Sequence, residues 1–453
     1  MHIIDPKDIN IPNYEDQDLK STLEWFLSFM SEAHWMNRKK KIEDFLRFKP
    51  KSDTAPLSQM QFLSVKDDRI GWYLYLVDSL LNDIVKYEPI QGARIVPIFK
   101  RFGIDLELLK RIEGVEDKIK KLLKKEKAQA DAILFELLTA LIWAKNSWEV
   151  KFLPEANTKT PDIFAQKGDD YWYVECKRLS QNSEYSIKER EKWLKMLNTI
   201  KSELVFNNIL LEVVFHVELN TLSDNFLFEQ LSGKLSEMAT SSKDISNEIW
   251  DVRVSFVNIE AINQHLKNYY VKNGSNQLKY LIGGKKSDTG FSAGIDGKLF
   301  SIGENLWVNL YIDSISHAFG VSWKCDASSS IETKARSIWN QVKSATDQFP
   351  IGSKAAIHVG LETLDGTEVE QVRFEKIRNS MMSFDIKDKN VKVLYCHFFQ
   401  SYAPVDQIYV IDETISRFFA ETPLRNYPLE HDFLIVPRED VTAQDFHWLR
   451  EHP

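Results

Sequence analysis

Cysteine is nearly missing from this 453-residue chain, which contains only Cys176, Cys325 and Cys396. They are widely spaced, odd in number and without zinc-ligand spacing. That argues against a disulfide framework and fits a reducing cytosol. Long apolar runs are also missing. The longest, Ala132 to Ala144, is too short to cross a bilayer and is interrupted by Glu136. The N-terminal Met1-His2-Ile3-Ile4-Asp5-Pro6 has no basic region followed by an apolar stretch, so no signal peptide is expected. A cytoplasmic protein with no membrane partner follows as the expectation. Positive charge is not in excess, the formal net charge being −8. Affinity for a polyanion would therefore need local basic patches, divalent metal or a partner protein. No internal repeat or low-complexity tract is visible. Gly283-Gly284-Lys285-Lys286 lacks the GxxxxGK[ST] spacing of a phosphate-cradling loop and reads as a turn.

What the chain does have is ample core material. With 43% hydrophobic residues over this length it should hold two or three domains of α/β (α+β) character. Residues 1–127 read as helical, with an amphipathic run from Leu19 to Met30, a helix over Trp72 to Lys86, and a short helix over Ile95 to Phe102 with Pro97 in its first turn. Residues 128–220 read as a compact α/β unit, 221–325 as a mixed β-rich insertion or accessory region, and 326–453 as an α/β C-terminal region.

Chemistry concentrates between Trp148 and Leu179. Glu149-Val150-Lys151-Phe152-Leu153 alternates polar with apolar, Ile163-Phe164-Ala165 follows Pro161-Asp162, and Tyr171-Trp172-Tyr173-Val174 has strand composition. Lys167-Gly168-Asp169-Asp170 is a turn signal between the last two, which predicts a three-stranded meander. Alternation along the third strand puts Tyr173, Glu175 and Lys177 on one face and Trp172, Val174 and Cys176 on the other. Pairing across Gly168 brings Asp162 toward Glu175. Two adjacent carboxylates repel unless a hard cation neutralises them, and Mg²⁺ takes one or two carboxylates plus waters and phosphate oxygens. An ammonium beside them can orient a water or offset phosphoryl charge. Acidic-x-Lys triplets recur, as at Glu116-Asp117-Lys118 and Glu332-Thr333-Lys334. Only Glu175-Cys176-Lys177 ends a strand-like run and follows the chain's single Pro-Asp dipeptide.

Pro161-Asp162, Glu175-Cys176-Lys177 and an upstream apolar helix carrying Glu136 together resemble the PD-(D/E)xK nuclease superfamily, over roughly Ala128 to Asn220. The resemblance implies a restriction-endonuclease-like αβββαβ core and a metal-dependent phosphodiesterase. It makes Asp162 and Glu175 ligands of Mg²⁺ or Mn²⁺, Lys177 the residue that orients or activates water, and Glu136 an auxiliary ligand or base. It also implies DNA as substrate and a microbial restriction, repair or anti-phage setting, with a homo-oligomer or companion defence protein as partner. A noncatalytic nucleic-acid-binding or assembly subunit of this fold and an RNA-cleaving effector are the alternatives.

Two questions stay open in the sequence. The strand completing the core sheet is either Leu210 to Leu219 or the Ala355-Ala356-Ile357-His358-Val359-Gly360 run, which follows a helix over Ile331 to Phe349. In the second case, 331–361 belongs to the core and much of 205–325 is an insertion. Lys120, Lys121, Lys124 and Lys125, in the densest basic segment, and Lys188 and Arg190, on a helix over Glu184 to Leu204, are candidate nucleic-acid contacts. Both segments also read as solvated helix faces.

Overall fold

The computed structural model describes residues 5–6, 13–47, 65–154, 160–179, 183–242, 244–285, 290–335, 337–383, 391–419, 427–436 and 446–450. Residues 1–4 and Lys286 fall outside these. The N-terminal part is helical, as its composition predicts: α1 (Gln17–Leu27), α2 (Glu32–Leu46), α3 (Arg69–Asn82), α4 (Pro89–Ile104), α5 (Leu106–Lys110), α6 (Val115–Lys124) and α7 (Ala130–Lys145). The boundaries differ from the sequence expectation, most of all at α4. Helix α4 starts at Pro89, where a missing amide hydrogen costs nothing, and the Glu88 carboxylate accepts from the Ile90 and Gln91 amides at 3.2 and 2.7 Å. Pro97 therefore lies in the helix interior, not in its first turn.

After α7 comes the meander: β1 (Glu149–Phe152), β2 (Ile163–Lys167) and β3 (Asp170–Arg178), paired antiparallel in that order. Gly168, at φ +60°, closes the β2–β3 turn in the left-handed region that glycine enters at no steric cost. The chain then leaves for a second sheet through α8 (Glu184–Phe206), whose first turn is capped by Ser183. That sheet contains β4 (Ile209–Phe215), β5 (Trp250–Phe256), β6 (Ser292–Ser301) and β7 (Leu310–Cys325), with the two-residue strand Ile245–Ser246 at one edge. β4 runs parallel to β7 and antiparallel to β5, and β6 and β7 pair antiparallel. Trp193, Met196 and Ile200 of α8 pack on Leu211, Val213 and Phe215 in a core of their own.

The chain returns through α9 (Trp339–Thr346) to β8 (Ala355–Glu362), which pairs parallel with β3. Following α10 (Thr367–Ser383), β9 (Val391–Tyr402) pairs parallel with β8, and β10 (Val410–Phe419) closes the edge antiparallel. The first sheet has the order β10-β9-β8-β3-β2-β1. The strand that follows the meander in this sheet is thus 355–362, and the strand at 209–215 belongs to the other sheet. The single helix expected over 331–349 is two pieces, Ser328–Lys334 and Trp339–Thr346. The Ser337 hydroxyl accepts from the Trp339 amide at 3.1 Å where the second begins.

One face of the first sheet, with Trp172, Val174, Cys176, Ala356 and Tyr395, packs on α7 and the N-terminal helices. Helix α7 is apolar nearly all round and is buried accordingly. On the opposite face, Ile357, Val359 and Leu361 pack on Ile338, the N-cap of α9, on Val342 of α9 and on Ile377 of α10. Helix α9 also reaches β3, where the carboxylates lie.

A carboxylate and lysine cluster at the end of the meander

β2 begins at Ile163, opposite Val174, so the amide of Cys176 lies beyond the last ladder pair. The Asp162 side chain takes the place of the missing strand: its Oδ2 accepts from Cys176 N at 2.8 Å. The Asp162 carbonyl accepts from Leu153 N at 3.0 Å, which joins β1 to the same point. This fixes the Asp162 carboxylate against the end of β3.

Glu175 and Lys177 share the face predicted from strand alternation, and the Lys177 ammonium donates to Glu175 Oε1. That same oxygen accepts from Gln348 Nε2 at 2.6 Å, in the turn after α9. Glu175 is only 1% exposed. Its second oxygen, Oε2, is buried and meets no hydrogen-bond donor among the described residues. Burial, reinforced by the Asp162 charge, pushes the Glu175 carboxyl up to about 8 against the pull of Lys177. Burial also raises Asp162, against the Cys176 amide and the charges of Lys118 and Lys177.

Glu136 projects from α7 and forms an ion pair with Lys118 of α6 at 2.5 Å. Burial and the neighbouring Asp162 push its carboxyl up to about 7, with Lys118 opposing. Glu136 therefore both pairs with a lysine and faces the Asp162 charge. Cys176 is buried, and its thiol is pushed well above the ordinary range by burial. It is a core residue of its strand, as its position suggested.

Three carboxylates and two lysines thus converge. Among the described residues no group of three or more His, Cys, Asp and Glu side chains is disposed to hold a metal ion. Glu136 is engaged by Lys118, which leaves Asp162 and Glu175 as a two-carboxylate set. Hard oxygen donors, one of them buried without a hydrogen-bond partner among the described residues, fit Mg²⁺ or Mn²⁺ completed by water and substrate.

The other candidate lysines scatter. Lys120 pairs with Glu116 at 3.0 Å and Lys121 with Glu126 at 2.9 Å. Lys124, Lys125 and Lys188 are exposed, and Arg190 is half-buried on α8, which serves the second sheet. The structure adds Gln348 and Lys118, neither of which local pattern identifies. Gln348 has no sequence signal, and Lys118 reads as one more lysine in a basic run.

A second charged cluster lies across the sheet. Arg94 bonds Glu362 at 2.8 Å, Asp131 at 2.7 Å and the Tyr73 hydroxyl at 2.8 Å. Arg69 reaches Asp131 at 2.6 Å, and Arg178 pairs with Glu362. The guanidiniums of Arg94 and Arg69 with the Tyr73 hydroxyl hold Asp131 well below the usual carboxylate range despite burial. A cavity of about 30 Å³ opens among Arg94, Asp131, Arg178 and Glu362, on the face opposite Glu175 and Lys177. It is not part of the carboxylate site.

No family model, curated protein or solved structure matches this chain.

Proposed function

We infer that the protein is a divalent-metal-dependent phosphodiesterase that hydrolyses a nucleic-acid strand. The observation that carries this reading is the convergence of Asp162, Glu175 and Lys177 at one sheet end, with Glu175 Oε2 buried and without a hydrogen-bond donor among the described residues. A structural ion pair alone would not need a second carboxylate beside it. The order helix, three-stranded meander, helix, parallel strand in the first sheet is consistent with the family resemblance of the motif. That resemblance supplies DNA as the polymer and a microbial restriction or anti-phage setting.

Asp162 and Glu175 would hold the cation. A bound Mg²⁺ or Mn²⁺ supplies acidification of water and charge stabilisation on a phosphoryl oxygen. The remaining tasks fall to this chain's side chains. Lys177, a quarter exposed, is the cationic group able to meet a substrate phosphate or orient a water. Gln348 fixes the Glu175 carboxylate by donating to Oε1, and the Cys176 amide fixes Asp162. Glu136 and Lys118 stand behind Asp162 and set the field in which it ionises, so they are positioning residues.

The test is cleavage of duplex DNA, single-stranded DNA and RNA with and without Mg²⁺ or Mn²⁺. Asp162→Ala and Lys177→Ala should each lower the rate at least about 100-fold. Calorimetry should show Mn²⁺ binding that is lost in Asp162→Ala. Cleavage surviving both substitutions, or wild-type protein that neither binds metal nor cuts, overturns the reading.

A further inference from the structure

We propose that the partly exposed aromatic face of the β1–β3 meander, formed by the half-buried Lys151, Phe164 and Tyr173 and the exposed Tyr171, is a stacking platform that holds an unpaired polynucleotide strand and leads it to Asp162, Glu175 and Lys177.

The geometry comes from strand register. Phe164 stands opposite Tyr173, and Lys151 opposite Phe164, so all three share one face across three strands. Along β3 the same face continues through Tyr171, Tyr173, Glu175 and Lys177. At about 3.4 Å per residue, Tyr173 lies about 7 Å from Glu175 along the strand, so the aromatics lie on the same sheet face as the buried Glu175 and the partly exposed Lys177. Phe164 and Tyr171 stack with ring centroids 5.9 Å apart, and Phe164 meets Tyr173 at 5.3 Å. The Lys151 ammonium lies over the Phe164 ring at 5.0 Å.

These rings are not needed as core. The opposite side of β3 supplies it, with Trp172 at 4% and Val174 at 0% exposure, whereas Tyr171 is 45% exposed. Helix α9 covers the neighbouring Ile357 and also meets β3, whose Tyr173 is half-buried while Tyr171 stays exposed. An apolar aromatic surface with lysines at its edge matches a base-bearing strand, because every base offers a π-face to a ring. A duplex keeps its bases stacked on each other and must be held through phosphates. Two lysines on an acidic protein supply few such contacts. An unpaired strand is therefore the occupant that this surface fits.

The platform rests on the nuclease reading only for the fate of the bound strand, and binding is measured without metal. Full-length protein in EDTA is titrated into fluorescein-labelled oligothymidylate, the RNA of the same sequence, and a DNA duplex, with anisotropy as readout. Single strands should bind more tightly than duplex. Tyr171→Leu should weaken single-strand binding about tenfold, while Tyr171→Phe, which keeps the ring, should bind like wild type. Both variants should melt with wild type. Wild-type affinity in Tyr171→Leu, duplex bound as tightly as single strand, or no single-strand binding by wild type overturns the platform. Tyr171-dependent binding without metal-dependent cleavage sinks the nuclease reading and leaves the platform standing. Asp162-dependent cleavage that is indifferent to Tyr171→Leu does the reverse.

Discussion

At the scale of single residues, the cluster is defined by carboxyls held in the wrong medium. Glu175 and Glu136 are buried beside Asp162, and their folded-state values, about 8 and about 7, lie above the ordinary 4.5 of glutamate. Between those limits the folded chain holds protons that the unfolded chain has released. Stability contributed by these groups is thus present at low pH and lost as pH rises from about 4.5 toward 8. In EDTA, the melting temperature of wild type should fall over this window. Glu175→Gln mimics the protonated acid and keeps an acceptor for Gln348 and Lys177, so it should flatten the decline and melt about 2 °C above wild type at pH 8.5. A variant that melts below wild type at every pH would show that the Glu175 charge stabilises the fold.

At the scale of elements, the meander was legible because its signals are local: alternation, the Gly168 turn and the Pro-Asp start all lie within a few residues of one another. The closing strand was ambiguous for a physical reason. Both 209–215 and 355–362 are buried strands after a helix, and only long-range pairing selects β8 beside β3. Gln348 was hidden for the same reason, since a glutamine in a turn acquires meaning only from the Glu175 it meets far along the chain. The Arg94 cluster was invisible too, because its members come from α3, α4, α7, β3 and β8. It ties the N-terminal helices to the ends of the two central parallel strands. Arg94 is 14% exposed and neutralises Asp131 and Glu362 together. Arg94→Met would leave Asp131 and Glu362 partly uncompensated, a loss of about 3 kcal/mol or more that differential scanning calorimetry would detect. Arg94→Lys should not restore it, because a single ammonium cannot reproduce the fork that reaches Glu362, Asp131 and Tyr73 at once. An unchanged unfolding transition in Arg94→Met would mean that the cluster does not latch these elements together.

At the scale of the whole molecule, the second sheet is inserted between β3 and β8, so the strand carrying Glu175 and the strand beside it come from distant parts of the chain. The chain's net charge of −8 also decides how it can meet a polyanion. The basic segment before α7 does not form a free rail: Lys118 is drawn into the carboxylate cluster, and Lys120 and Lys121 pair with acids. If a single strand lies along the meander, its phosphates meet chiefly Lys151 and Lys177. Counterion release for single strands scales at about −0.7 per neutralised phosphate, so two or three contacts give a slope of log affinity against log salt between about −1.4 and −2.1. Stacking on Phe164, Tyr171 and Tyr173 is largely indifferent to salt and should keep binding measurable at ionic strengths that strip a purely electrostatic complex. Anisotropy titrations across a salt series measure this slope directly. A slope of about −5 or steeper would require many phosphate contacts, shifting the binding surface to the exposed Lys124, Lys125 and Lys188, and Tyr171→Leu would then leave that slope and the affinity alike unchanged.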